Sequence, residues 1–143
     1  KPSFYTKLID YDRKNRKNKK IGDSGEAYVL KHETEKLLKA DIEPKVEHTS
    51  KIKGDGAGYD IKSLDENKNV IYIEVKTTEG QCKKPFYITK RELDRSIEEQ
   101  ENYYLYRLYN YDKKKKTFDI RYINGDLSNY CQNPDTFKTR VKE

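Results

Sequence analysis

Gly-Tyr-Asp-Ile-Lys-Ser-Leu-Asp-Glu-Asn-Lys-Asn-Val-Ile-Tyr-Ile-Glu-Val-Lys-Thr-Thr, residues 58–78, reads as a β-hairpin. Asp65-Glu66-Asn67-Lys68-Asn69 is turn chemistry between two runs of strand formers, because Asp and Asn side chains bond their own backbone. Side chains alternate faces along a strand, so Val70, Tyr72, Glu74 and Lys76 share one face. Ile71, Ile73, Val75 and Thr77 share the other, which is apolar enough to pack on a core. Glu74 and Lys76 therefore stand side by side, about 7 Å apart at two strand residues.

A hairpin centred on Asn67 sets Ile61 across from Ile73 and Tyr59 across from Val75. The same register puts Asp60 opposite Glu74, with β-carbons about 5 Å apart. Like charges facing each other destabilise a sheet unless something positive lies between them. A divalent cation turns that cost into a site with Lys76 beside it, and the constellation points to phosphodiester chemistry. The plainer alternatives are a strand-start Asp60 after a glycine loop and a solvated face of alternating charge at Glu74 and Lys76. Asp is depleted in strands, and Val70 and Tyr72 share the face of Glu74, which weakens both.

The chain has 143 residues, enough for one domain with a single core. Charged residues make up 39% and hydrophobic ones 33%, so the core is modest and the 13 tyrosines carry much of the burial. There is no Met, which predicts a piece of a longer protein. No apolar run approaches the roughly 20 residues of a membrane span, and no signal peptide is visible. Cys82 and Cys131 lack metal-type spacing and read as reduced thiols of an intracellular protein, cytoplasmic if bacterial, in preference to an extracellular disulfide. Residues 1–20 hold eight basic side chains against Asp10 and Asp12, which accounts for the whole net charge of +6. That segment is expected to be an irregular basic linker or nucleic-acid-binding arm ahead of one domain, residues 21–143.

A helix is predicted from about Gly22 to Ala40, with Ala27, Leu30, Thr34, Leu37 and Leu38 as its buried stripe. A short strand from Lys45 to Ser50, a glycine-rich loop over 54–58 and the hairpin follow. Pro85 to Ile88 is a short strand or strand-like lead-in. Thr89-Lys90-Arg91-Glu92 is a capping box opening a second helix to about Glu101, with Leu93 and Ile97 inward. Tyr103 to Tyr111 reads as a central strand, Asp112 to Lys116 as a turn and Thr117 to Ile123 as a returning strand. Residues 124–143 receive no assignment. The expected class is α/β, a mixed sheet flanked by helices.

Glu26 has two readings. Asp23-x-x-Glu26 is a capping-box-like pair at a helix start, or Glu26 points toward the hairpin as a third carboxylate. His32 and His48 are too few for a zinc site or a His-based nuclease motif, and both are expected to be structural or exposed. The tyrosines of 103–111 could stack on bases, but strand propensity and packing explain them better.

Gly-x-x-Gly-Glu (Gly22 to Glu26), Gly-x-Gly-Tyr-Asp-Ile (Gly56 to Ile61), Ile-Glu-Val-Lys-Thr-Thr (Ile73 to Thr78), Pro85-Phe86 and Tyr-Tyr-Leu-Tyr-Arg-Leu-Tyr (Tyr103 to Tyr109) follow in one order. Together they resemble the PD-(D/E)XK nuclease superfamily, and within it the Mrr-related domain at the C-terminus of NO VEIN-type proteins. The resemblance covers about residues 22–123 and departs from the written motif where Tyr59, not Pro, precedes Asp60. It implies an αβββαβ restriction-endonuclease-like core and a metal-dependent endonuclease cutting DNA, the effector part of a larger restriction or antiviral defence protein. Asp60, Glu74 and the backbone carbonyl of Val75 would hold Mg²⁺, with Mn²⁺ as a substitute. Lys76 would be the motif lysine and Glu26 the helix-borne glutamate.

Lys62 and Lys113, Lys114, Lys115 and Lys116 are the candidate nucleic-acid contacts, although a solvated turn is the plainer reading of the last four. The implied partners are DNA, an ATPase, helicase or specificity domain of a longer chain and, for double-strand cutting by a one-site domain, a second copy. The rival readings are a non-catalytic nucleic-acid-binding or sensor module of the same fold, and a docking domain that uses the Tyr-rich strands.

Overall fold

The structure, a computed structural model, describes residues 4–131 and 138–139. In chain order its elements are α1 (Phe4–Lys39), α2 (Thr49–Lys53), β1 (Ile61–Leu64), β2 (Val70–Thr77), β3 (Phe86–Tyr87), α3 (Lys90–Glu99), β4 (Tyr103–Asp112), β5 (Thr117–Asn124) and β6 (Lys138–Thr139). The hairpin forms in the expected register, with Ile61 facing Ile73 and Leu64 facing Val70. Asp65 closes its turn by accepting from the N–H groups of Asn67 and Asn69, each at 2.8 Å. β4 lies parallel to β2 and β5 returns antiparallel, so the main sheet is mixed, in the order β1-β2-β4-β5. β3 and β6 pair apart from it.

The sheet separates two cores. Val29 of α1 packs with Ile61, Ile73, Val75, Tyr106 and Leu108 on one face. Leu93 of α3 packs with Tyr59, Tyr103, Leu105, Ile123 and Leu127 on the other. β4 is apolar on both faces because it runs between β2 and β5 with a helix layer on each side. No helix among the described residues is long and apolar enough to cross a membrane.

Four expectations are corrected. Residues 1–3 lie outside the described residues, and residues 4–20 are not irregular, since α1 starts at Phe4 and runs through Gly22 without a break. No Pro or Gly interrupts residues 4–21, and the Lys and Arg residues there are good helix formers. The side chains of the basic residues before Lys17 lie outside the described residues. Lys45 to Ser50 is not a strand. Glu47 makes a single bridge to Lys62, and α2 starts at Thr49, so only β1 and β2 precede α3 in the main sheet.

The buried stripe of α1 is Gly25, Val29, Glu33 and Leu37, whereas Ala27 is exposed and Leu38 is 60% exposed. The phase is set by Gly25, where an added β-carbon would stand 1.9 Å from Thr77 Oγ1. Only a glycine lets the helix come this close to β2, and residues at four-residue spacing from it follow into the interface. Glu33 is buried there because the Tyr106 hydroxyl donates to it at 3.0 Å and Lys36 pairs with it at 2.6 Å. Gly25→Ala is therefore expected to lower stability by about 1–3 kcal/mol through overpacking. Urea unfolding should show a lower midpoint at unchanged slope. An unaltered midpoint would mean that α1 rides off the sheet without penalty.

The last correction concerns α3. Its capping box is present, with Thr89 Oγ1 accepting from Glu92 N–H and Glu92 accepting from Thr89 N–H. Leu93 points inward as expected, but Ile97 is 40% exposed and Ser96 is buried in its place. The Ser96 hydroxyl donates to Leu93 C=O and accepts from Leu127 N–H, which locks that face of the helix against the segment after β5.

Candidate active site

β1 begins at Ile61, one residue after Asp60. The Asp60 N–H still donates to Ile73 C=O at 2.8 Å, and Oδ2 accepts from Val75 N–H at 2.8 Å. The paired ladder thus stops before the expected Tyr59–Val75 pair. The carboxyl group of Asp60 is hydrogen-bonded to that of Glu74, so the two acids meet as the register requires. Glu74 is only 4% exposed, because α3 covers the face on which a solvated row of charges was the alternative.

Burial dominates both acids. It drives the Glu74 carboxyl well above its ordinary value, with Lys76 opposing and the Asp60 charge adding to the rise. It lifts Asp60 to about 6, opposed by the hydrogen bond from Glu74 and reinforced by the charge of Glu26. With both carboxyls raised and hydrogen-bonded to each other, the pair favours a state in which it shares one proton and keeps one negative charge.

Lys76 Nζ stands 2.8 Å from Glu92 Oε1 and 3.5 Å from Glu74 Oε2. Burial works against its charge, but the pull of Glu74 and then Glu92 holds its pKa well above the ordinary lysine value. Tyr103 closes the floor of the site, its hydroxyl donating to Gly58 C=O at 3.0 Å. Gly58 has φ +80, and an added β-carbon would meet Arg91 O and Arg95 Cβ at 2.8 Å, so a glycine is required where α3 crosses this loop.

Glu26 does not cap a helix, since α1 begins far upstream. It accepts from Ser50 Oγ at 2.8 Å, and His48 Nε2 lies 2.9 Å from its Oε1. Its charge reaches Asp60 around the short end of β1. The structure thus brings together Asp60, Glu74 and Lys76, with the Val75 N–H on Asp60, while Glu26 is bonded to His48 and Ser50 and acts on Asp60 only through its charge. Lys62 faces Tyr72 across the hairpin, on the same strand face as Asp60. Lys113 to Lys116 are exposed in the β4–β5 turn, and Lys115 and Lys116 line a groove against Tyr28 and Lys31 of α1. That groove lies on the opposite side of the sheet from Glu74, so the lysine turn is not brought to the acids.

Over residues 25–123 the chain matches the family described as Protein NO VEIN, C-terminal. The chain belongs to that family. The NO VEIN C-terminal match spans every residue of the cluster, from Glu26 through Glu92, and ends at Ile123 beside the end of β5. No curated protein and no solved structure matches the chain.

Sequence reasoning missed Glu92, His48, Ser50 and Arg95. Glu92 was visible only as the third residue of a capping box, a role it does fill; its second role depends on α3 lying over β2. His48 and Ser50 sit in the segment expected to be a strand. Arg95 covers the rings of Tyr59 and Tyr72 at 5.0 and 4.8 Å, and its buried Nε has no hydrogen-bond partner among the described residues. Among the described residues no group of three or more His, Cys, Asp or Glu side chains is arranged to hold a metal ion. The donor set is the Asp60–Glu74 pair. Two hard carboxylate oxygen donors are what Mg²⁺ uses when substrate phosphate and water complete its shell, so the pair fits such an ion.

Proposed function

We propose that this domain is a metal-dependent endonuclease of the PD-(D/E)XK type that hydrolyses phosphodiester bonds of DNA, the effector part of a larger restriction or defence protein. The observation that carries the reading is the Asp60–Glu74 carboxyl pair, Asp60 half-buried and Glu74 buried, with Lys76 alongside. A mixed four-stranded sheet between helices, with one acid on β2 and the other immediately before β1, is consistent with that superfamily's core. The bridge at Glu47 stands where its further strand was expected.

Asp60 and Glu74 would hold Mg²⁺ or Mn²⁺, displacing the shared proton. Bound there, the ion supplies charge to the phosphate oxygens and acidifies a water. Lys76 is held as an ammonium by Glu74 and Glu92. Its role is therefore to offset negative charge developing on the phosphate rather than to act as a resting base. Glu92 orients that ammonium, and Glu26, tied to His48 and Ser50, biases Asp60.

Mg²⁺ is expected to raise the melting temperature of the wild-type protein by several degrees relative to EDTA. Ligand at a hundredfold its Kd stabilises by about 2.7 kcal/mol. Asp60→Asn and Glu74→Gln should lose this shift, and a wild-type protein indifferent to Mg²⁺ and Mn²⁺ would overturn the metal assignment. Stabilisation by metal without cleavage would favour a nucleic-acid-binding module instead.

A further inference from the structure

Arg107 is 2% exposed, yet no carboxylate among the described residues comes within ion-pair distance of it. Its Nη2 donates to Lys84 C=O at 2.8 Å, its Nε to Cys82 C=O at 3.4 Å, and the guanidinium covers the Phe86 ring at 4.6 Å. Two carbonyls and a ring face orient the group and leave its charge uncompensated. Buried charges are ordinarily paired, because desolvation of a lone ion is expensive. Burial pushes the guanidinium down to about 10, with Cys82 acting the other way.

Arg107 lines a cavity of about 450 Å³ between α1, the segment after β2 and β3. Three of the lining residues are basic, Lys17, Lys84 and Arg107, against one acid, Glu79, which Lys17 partners at 3.6 Å. The Thr77 and Thr78 side chains also line it, and the buried Thr77 hydroxyl has no partner among the described residues. Arg107 is the register partner of Lys76 on the neighbouring strand, so the cavity opens one strand along from the carboxyl pair.

We propose that this cavity is a phosphate-binding subsite in which Arg107 and Lys84 hold a phosphoryl group. A guanidinium matches phosphate oxygens; with Nε and Nη2 of Arg107 serving the two carbonyls, Nη1 is the nitrogen left to meet one, and Lys84 adds a second cation beside it. The volume exceeds that of a phosphate ion, so the fitting ligand is a phosphate ester, with the rest of its molecule in the cavity. Two sources share this chemistry: the terminal phosphate of a nucleic-acid strand and an internal phosphodiester. Binding here does not depend on hydrolysis at Asp60 and Glu74.

The test is thermal unfolding in EDTA, with sodium phosphate compared against chloride at matched ionic strength. Wild-type protein should melt several degrees higher in phosphate. The shift should be reduced in Lys84→Ala, whose side chain is exposed, and lost in Arg107→Lys. Equal melting in phosphate and chloride overturns the proposal, as does a phosphate shift of the same size in wild type and Lys84→Ala. Short single-stranded oligonucleotides with and without a 5′-phosphate separate the sources. Tighter binding of the phosphorylated strand assigns the site to a strand end, and equal binding weakened roughly tenfold by Lys84→Ala assigns it to an internal phosphate. Wild-type affinity of Lys84→Ala for both strands overturns it. EDTA excludes metal throughout, so failure here leaves the Asp60–Glu74 reading standing.

Discussion

Wild-type protein is expected to nick supercoiled plasmid in Mg²⁺ or Mn²⁺ and not in EDTA, and Lys76→Ala to lose that activity by about a hundredfold or more. Removing one preorganised group that meets charge developing in a transition state costs a factor of about 10²–10³. Lys76 qualifies because its position is fixed at both ends: β2 aims it along the face of Glu74, and Glu92 receives its ammonium at 2.8 Å. Glu92→Gln should give a smaller loss, since the lysine keeps Glu74 at 3.5 Å and forfeits only its orienting partner. Asp60→Ala and Glu74→Ala should abolish cleavage outright. Circular dichroism of each variant separates lost chemistry from lost fold. Metal-dependent nicking that survives in Lys76→Ala would remove the lysine from the mechanism, and full activity of Asp60→Ala would end the nuclease reading. A folded, metal-binding wild type that cuts no plasmid would favour the binding module.

The second large effect is on stability, and it runs opposite to the usual carboxylate behaviour. Asp60 is raised from 3.8 to about 6 in the folded protein, and Glu74 is raised as well. A group whose folded value lies above its unfolded one binds more protons in the native state, so unfolding free energy falls as pH rises. The contribution is fully present below about pH 4 and is lost as pH passes through about 6. For Asp60 alone a shift of about two units corresponds to roughly 3 kcal/mol. In EDTA, the difference in stability between Asp60→Asn and wild type should therefore grow in favour of the variant between pH 5 and pH 8. Urea unfolding at the two pH values measures it, and an identical pH slope in both proteins would show that Asp60 titrates normally. Mg²⁺ should reverse the trend in the wild type, because metal binding releases the proton that the pair shares.

Both expectations grow from the hairpin, and its register was legible because two local rules agreed. The Asp65–Asn69 turn chemistry and the period-two alternation of β2 admit one pairing, and a slip by one residue would have turned Ile71, Ile73 and Val75 away from the core. Asp60, Glu74 and Lys76 followed from that pairing. The capping box at Thr89 and the doubly apolar β4 were legible independently, each as a pattern contained within its own segment. The stripe of α1 was misread because hydrophobicity alone does not set the rotation of a helix. Gly25, the least apolar member of the interface, sets it by letting α1 approach Thr77, and Glu33 then enters the core on a hydrogen bond from a residue of β4.

What the sequence determined by itself, then, is the local order: a hairpin of known register, the acids and lysine it carries, a capped helix and a central strand. Tertiary structure decided the environment of those groups. Glu92 reaches Lys76 only because α3 lies across β2, and Glu26 leaves its capping role because α1 extends upstream and passes the open end of β1. Arg107 becomes a buried cation without a counter-charge only when β4 sits beneath the segment from Cys82 to Phe86. Periodicity and turn chemistry act between residues near in the chain. Desolvation and charge pairing act between residues near in space, and those are the forces that set the protonation of Asp60, Glu74 and Lys76.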